Sequence, residues 1–366
     1  MTLPLPPGPP PRPGERASVE SIGQFDDRID VRSPAEFAED RVPGAVNLPV
    51  LDDAERARVG TLYVQVSAFE ARKLGAAIAS RNIARMLETY AVDKPREWRP
   101  LVYCWRGGQR SRSVAHVLAE VGWRAVQLEG GYRAWRRHVR AQLQNLPQRY
   151  DYRVVCGLTG SGKSRLLRAL GHAGAQILDL EAIAKHRGSL LGDLPGDPQP
   201  SQKWFESQLF ATLQSLDPAR PVFVESESKR IGTVQLPDAL LDRMREAPCV
   251  RVRTPLELRV ALLKSEYAHF LADPGALART LAPLKDLVGR RTLAHWDELS
   301  RGGAHDELVA ELLRSHYDPL YIRSIDRNFP RHSSAVEACV RGLRDEDFAT
   351  LAQSIVAETR VAAEPA

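Results

Sequence analysis

Cysteine is scarce and scattered in this 366-residue chain. Its four cysteines, Cys104, Cys156, Cys249 and Cys339, form no CxxC pair and no Cys/His cluster. A disulfide framework and a cysteine-ligated zinc site are therefore excluded, and the usage fits a reducing compartment. No apolar run approaches the roughly 20 residues that cross a bilayer. The N-terminus lacks the cationic start and apolar core of a signal peptide. A cytoplasmic protein without a membrane partner is expected. Lysine is also rare, eight of 51 cations. Arginine suits planar, bidentate phosphate contacts, and a base-composition bias would give the same count. The net charge of +5 permits a polyanionic partner.

The length suits two or three domains with sizeable cores. Seven prolines in the first 13 residues mark residues 1–17 as a disordered or polyproline-like tail. Residues 18–144 read as an α/β domain with a largely parallel sheet. Within it, Ser33 caps a helix starting at Pro34, with Glu36 at the capping-box position. Residues 61–92 read as one long helix carrying Leu74, Ile78, Ile83 and Leu87. The strand from Pro100 to Tyr103 and the strand from Ala125 to Leu128 are each followed by a glycine-containing loop and a helix. Residues 145–152 are expected to be a linker. Residues 153–256 read as a second α/β domain, with strands at 153–156, near 177 and near 222. Strand signals fade after 257, so 257–366 is expected to be helical, ending in an Ala-rich frayed tail.

The first chemical signal is Cys104-Trp-Arg-Gly-Gly-Gln-Arg110. A cysteine directly after a strand, with Gly107 and Gly108 in the loop and a helix behind it, sits where backbone N–H groups and the helix N-terminus converge. Arg106, Arg110 and Arg112 add charge. Such surroundings favour thiolate and would hold a tetrahedral oxyanion beside the sulfur. The second signal is Gly157-Leu-Thr-Gly160-Ser161-Gly162-Lys163-Ser164, which fits GxxxxGK[ST] between an apolar strand and a helix. Gly157, Gly160, Ser161 and Gly162 shape the phosphate cradle, Lys163 neutralises phosphate, and Ser164 can hold Mg²⁺. Asp179 and Glu225 end apolar strands and are the candidate metal carboxylates, with Glu181 and Glu227 as neighbouring alternates. No clean Walker B aspartate stands out, and a P-loop holds any diphosphate. Cys156 is assigned to core packing. Third, Arg133, Arg136, Arg137 and Arg140 fall on one helix face, opposite Trp135, as a candidate stripe for a nucleic-acid backbone.

DVRSPAEF…VPGAVNLP, the Cys104 loop and EGGYRAWRR together resemble the rhodanese family over residues 20–140. Five residues separate Cys104 from Arg110, one more than in the usual sulfurtransferase loop. That length resembles the loop of cell-cycle phosphatases built on the same fold, which points to a phosphate-like donor. Over nearly the whole chain, GTLYVQVSAFEARKLGAAIASRNIA, CWRGGQRS, GLTGSGKS, LDLEAIAKHRGS, FVESESKRIG and HYDPLY resemble the tRNA 2-selenouridine synthase family.

That resemblance implies a transferase acting on the wobble 2-thiouridine of tRNA. It implies S-geranylation from geranyl diphosphate and then selenium transfer from selenophosphate, both co-substrates. It further implies that Cys104 accepts selenium as a thio-selenide, that Arg106, Arg110 and the loop amides bind the donor phosphate, and that the P-loop holds the prenyl diphosphate with Mg²⁺. Trp105 is a candidate for stacking on an exposed base. Three other readings stay open. One is a phosphatase or arsenate reductase using the C-x5-R loop. Another is an NTP-dependent sulfur-relay or RNA-binding module, and the third is a small-molecule kinase.

Overall fold

The computed structural model describes residues 15–189, 191–194 and 196–361. The chain divides into two units, Met1–Gln142 with Pro200–Ala211, and Leu143–Gln199 with Thr212–Ala366. Both are α/β.

The first unit contains β1 (Arg16–Ala17), β2 (Asp27–Asp30), α1 (Pro34–Glu39), β3 (Ala45–Asn47), α2 (Asp53–Gln65), α3 (Ala68–Met86), β4 (Pro100–Tyr103), α4 (Gln109–Val121), β5 (Val126–Leu128) and the start of α5 (Gly131–Asn145). The sheet order is β1-β5-β4-β2-β3, and every pairing is parallel. All four residues of β4 are buried, as its unbroken apolar run requires of a central parallel strand. Ile29, Val102, Val114, Leu118 and Trp98 form the core around it.

The N-terminal signature DVRS has a structural explanation. Asp30 and Arg32 are buried and paired through the Arg32 Nε and Nη2 donors at 2.6–3.0 Å. Arg32 also donates to Asp40 O at 2.7 Å and lies 3.9 Å over the Tyr132 ring. A buried pair is kept where further hydrogen bonds offset its desolvation, and the Asp40 carbonyl and the Tyr132 ring supply such contacts here.

The second unit supplies β6 (Tyr152–Cys156), α6 (Lys163–His172), β7 (Gln176–Leu178), α7 (Leu180–Ala184), the end of α8 (Gln202–Ser215), β8 (Val222–Glu225), the hairpin β9 (Arg230–Ile231) and β10 (Val234–Gln235), α9 (Asp238–Glu246), β11 (Cys249–Arg253), α10 (Leu256–Glu266) and β12 (Val336–Cys339). Its parallel sheet runs β12-β11-β6-β8-β7. The P-loop strand β6 is therefore central. Leu166, Leu170, Phe223 and Val250 pack under the C-terminal helix Asp345–Val361 through Phe348 and Ile355. A second cluster around Trp296, with Leu277, Leu281, Leu308 and Leu312, holds the helical region.

Several expectations need correction. Arg16–Ala17 pair with β5, so the expected tail over 1–17 ends earlier, and its residues 1–14 lie outside the described residues. The helix expected over 61–92 is two, broken at Val66–Ser67. Ser67 accepts the Glu70 N–H at 3.1 Å and so caps a second helix. The segment 145–152 is packed, with Leu146 and Tyr150 buried and the Tyr150 hydroxyl donating to Leu213 O. Residues 202–211 group with the first unit although they fall within 153–256. The C-terminal region is helical but also contributes β12 to the sheet. Residues 362–366 of the expected frayed tail lie outside the described residues, and 345–361 are a packed helix. Among the described residues no helix is long and apolar enough to cross a membrane.

Candidate functional site

The thiol site forms where β4 stops. Cys104 follows Tyr103 directly and is 3% exposed. Its Sγ accepts the Gly108 N–H at 3.3 Å and the Ser111 hydroxyl at 3.1 Å. Gln127 Nε2 donates to Ser111 Oγ at 2.7 Å and to Gly108 O at 3.0 Å. With its oxygen already accepting from Gln127, Ser111 directs its own proton to sulfur. Two donors therefore converge on the sulfur. The enclosure is tighter than an open anion loop suggests, because one side of Cys104 packs on the core.

The Gly-Gly motif after β5 is part of this site. Tyr132 N–H donates to Cys104 O at 2.8 Å, and Arg133 N–H to Trp105 O at 3.1 Å. A Cβ at Gly131 would stand 2.2 Å from Cys104 O and 2.5 Å from Gly107 N, so only glycine permits the approach. Trp105 is half-buried and packs on Tyr132 with ring centroids 5.2 Å apart.

Arg106 is exposed, whereas Arg110 is paired with Glu36 at 3.1 Å, which also holds Arg56 at 2.9 Å. Burial pushes the Glu36 carboxyl up, but these two guanidinium groups outweigh it and hold it below the usual carboxylate range. Of the arginine stripe, Arg133, Arg137 and Arg140 are exposed. Arg136 departs from the expectation. It is paired with Glu206, donates to Lys203 O at 3.2 Å and lies 3.8 Å from Asp40. The α8 segment covers that part of the helix face, and Trp135 beside it donates to Ser207 Oγ at 3.2 Å.

The phosphate site occupies the second unit. β6 leads into the loop 157–162, and α6 begins at Lys163. Gly160 lies at φ +75°, and its missing Cβ leaves room for Leu263, 2.8 Å from where that atom would be. Lys163 Nζ donates to Gly157 O at 2.9 Å. Burial works against its charge, yet Tyr321 and the carboxylates of Glu225, Glu181 and Glu227 push its pKa up. The loop is braced from outside by residues to which the sequence reading gave no role. Gly157 N–H donates to Tyr321 Oη at 2.8 Å, and Ser226 Oγ lies 2.9 Å from the same oxygen. Arg259 Nε donates to Thr159 O at 2.9 Å while its Nη atoms pair with Asp318. HYDPLY thus contributes Asp318 and Tyr321. Its resemblance to a stretch of the family was the available signal, but nothing local in it points to a P-loop. Cys156 is buried, and its neighbour Cys249 and its burial push its thiol far up, as core packing requires.

A cavity of about 640 Å³ opens over the loop, lined by Lys163, Ser164, Glu181, Glu225 and Glu227 among others. One oxygen of each of these three glutamates lies within 4.8 Å of the others. Ser164 Oγ donates to Glu181 Oε2 at 3.0 Å. Glu225 Oε1 is buried with no hydrogen-bond partner among the described residues. Asp179 is not in the cluster; it caps α7 by accepting the Ala182 N–H at 2.9 Å. The clustered carboxylates are Glu225 with the two alternates, while Asp179 lines the same cavity outside the cluster and caps α7. Burial and mutual repulsion push Glu225 well up and Glu227 to about 7. Glu181 is raised by burial against the pull of Lys163. Clustered carboxylates whose mutual repulsion raises their pKa values, with one orphaned oxygen, fit a hard divalent cation such as Mg²⁺.

Comparison with known proteins accounts for both sites together. Residues 20–138 match the rhodanese-like domain, and residues 150–276 match the tRNA 2-selenouridine synthase AAA domain. The tRNA 2-selenouridine synthase of Nitrosomonas europaea is 37% identical over 359 residues, covering 86% of this chain and 91% of that protein. The chain belongs to the tRNA 2-selenouridine synthase family. The synthase of Sulfurovum sp. is 33% identical, covering 83% of this chain and 90% of its own length. That of Bdellovibrio bacteriovorus is 32% identical, covering 82% and 89%. The matched family models span the thiol loop and the P-loop. Ser111 and Gln127 were missed because a serine in a helix and a glutamine in a strand carry no chemical signature until the fold brings them to the sulfur.

Proposed function

We propose that this chain is an enzyme acting on tRNA, a transferase that converts wobble 2-thiouridine to 2-selenouridine in two steps. Family membership across both units carries the reading, since the relatives bear that name, and the two sites supply the roles. In the first step the 2-thio sulfur attacks C1 of geranyl diphosphate. The C1–O bond breaks, diphosphate leaves with the electron pair, and the base loses its N3 proton. Lys163 and the loop amides hold the diphosphate. Ser164, Glu181, Glu225 and Glu227 would hold Mg²⁺, which when bound offsets charge on the leaving group.

In the second step selenium replaces the geranylated sulfur. Selenophosphate carries selenium at the selenide level on phosphorus(V). Attack by the Cys104 thiolate on phosphorus breaks the P–Se bond. Selenide then adds at C2 of the base, geranylthiolate departs, and water releases orthophosphate from Cys104. A thio-selenide on the same sulfur would require a two-electron oxidant, so the phosphoryl route is the balanced one. Arg106 and the loop amides bind the donor phosphate, with Arg110 positioned through Glu36. Arg133, Arg137 and Arg140 contact the tRNA backbone.

The test is nucleoside mass spectrometry of 2-thiouridine-containing tRNA incubated with the protein, geranyl diphosphate, selenophosphate and Mg²⁺. Geranylthiouridine followed by selenouridine is expected, and unchanged 2-thiouridine would refute the reading. One observation favours a second reading, thiol-phosphatase activity: Ser111, directly after Arg110, donates to the Cys104 sulfur. Hydrolysis of a small aryl phosphate in the absence of tRNA would support it.

A further inference from the structure

We infer that the hairpin of α2 and α3 is a stacking platform for the single-stranded RNA loop that carries the reacting uridine; this rests on the reading of the chain as an enzyme acting on tRNA. The two helices run antiparallel. Arg81 and Asn82 meet Glu55 at 3.2 and 3.0 Å, and a Cβ at Gly75 would stand 3.5 Å from Val59 Cγ1. Their junction is therefore a tip, and its backbone is fixed. The Val66 and Ser67 N–H groups donate to Leu62 O at 3.0 and 3.1 Å, and Ser67 caps α3. On this ordered turn stand Tyr63, Val64, Val66 and Phe69, 61–84% exposed. Tyr63 and Phe69 are the only aromatic side chains among the exposed large hydrophobic residues described. Such a cluster on a surface marks a contact site.

What surrounds the rings selects the partner. Between Arg56 and Met86 six cations, Arg56, Arg58, Arg72, Lys73, Arg81 and Arg85, stand against one carboxylate, Glu70. Lys73 Nζ lies 5.5 Å over the Phe69 ring, and Arg72, one turn from Phe69, is exposed. A second copy of the hairpin would oppose like charges. An unpaired RNA strand instead presents a base face to each ring and a phosphate to each cation. The hairpin is also tied to the thiol site. Glu36 pairs with Arg56, at the start of α2, and with Arg110, at the end of the Cys104 loop. Tyr63 stands seven residues beyond Arg56, about 10 Å along the helix. Cys104 is enclosed, so a uridine brought to its sulfur leaves the base stack. Its neighbours in the loop lose a stacking partner, and Tyr63 and Phe69 replace it.

The test is fluorescence-anisotropy titration of the full chain with 2-thiouridine-containing tRNA and with an RNA duplex that has no loop. Tyr63→Ala and Phe69→Ala are each expected to weaken tRNA binding roughly tenfold and duplex binding by less than about twofold. Tyr63→Phe and Phe69→Tyr, which keep the ring, are expected to stay within about twofold of the parent on both RNAs. Both rings stand in solvent, so all four variants should keep the parental melting temperature. Parental tRNA affinity in both alanine variants, an equal loss on the duplex, or an equal loss in the ring-keeping variants would overturn the inference. So would a parent that sediments as a dimer beside an alanine variant that sediments as a monomer, because the rings would then face a second copy. A parent that binds no tRNA would overturn the tRNA reading, and the platform with it.

Discussion

The Cys104 sulfur owes its environment to a relay of short polar contacts. Gln127 donates to Ser111, and Ser111 donates to sulfur at 3.1 Å. Ser111→Ala removes the hydroxyl contact to the sulfur and is expected to slow selenouridine formation about tenfold. An unchanged rate would show that the serine plays no part at the sulfur.

The three glutamates make a second prediction. Their folded pKa values lie above those of an unfolded chain, so their contribution to stability is present at low pH. It is lost as pH rises through the folded values, about 7 for Glu227. Without a cation the melting temperature is expected to fall between pH 6 and pH 8. Mg²⁺ should restore more at pH 8 than at pH 6, and Glu227→Gln should flatten the slope. At this scale the sequence was informative where a motif fixes spacing, as for Lys163 and Cys104. It was silent on Asp179 against Glu181. Both line the cavity, but Asp179 uses its carboxylate to cap α7, and Glu181, two residues on within α7, joins the cluster.

Among the elements, the P-loop is rigid because distant helices hold its carbonyls and amides. Arg259, on α10, is 4% exposed and bridges Thr159 to Asp318. Leaving a buried guanidinium without its carboxylate costs about 3–5 kcal/mol. Asp318→Ala is expected to lower the melting temperature by several degrees and to weaken pyrophosphate binding. Asp318→Glu should recover part of both, and a variant with parental affinity would separate the brace from the loop. The elements nearest these sites were legible from strand–glycine–helix order. β11 and β12 were not. CVRVR alternates arginine with valine, and VEAC is short, so neither shows the apolar run of β4 or β8. The α2–α3 break was also missed, because the amphipathic period continues across Ser67 and only its cap contact reveals the stop.

For the whole molecule, the chain folds as two α/β units, each with a parallel sheet that presents a loop at the start of a helix. That much follows from the alternation of strands and helices. The exchange of residues 200–211 into the first unit does not, since apolar residues such as Phe205 and Phe210 announce burial but not the partner that buries them. The central claim is a division of labour, with prenyl transfer at the P-loop and selenium transfer at Cys104. The most direct measurement follows the modified base by mass spectrometry in Cys104→Ala and Lys163→Ala side by side, on 2-thiouridine tRNA and on tRNA already geranylated. Cys104→Ala should accumulate geranylthiouridine and make no selenouridine from either substrate. Lys163→Ala should leave 2-thiouridine untouched yet still convert the geranylated base. Selenouridine formed at the parental rate by Cys104→Ala, or geranylation at the parental rate by Lys163→Ala, would contradict the account.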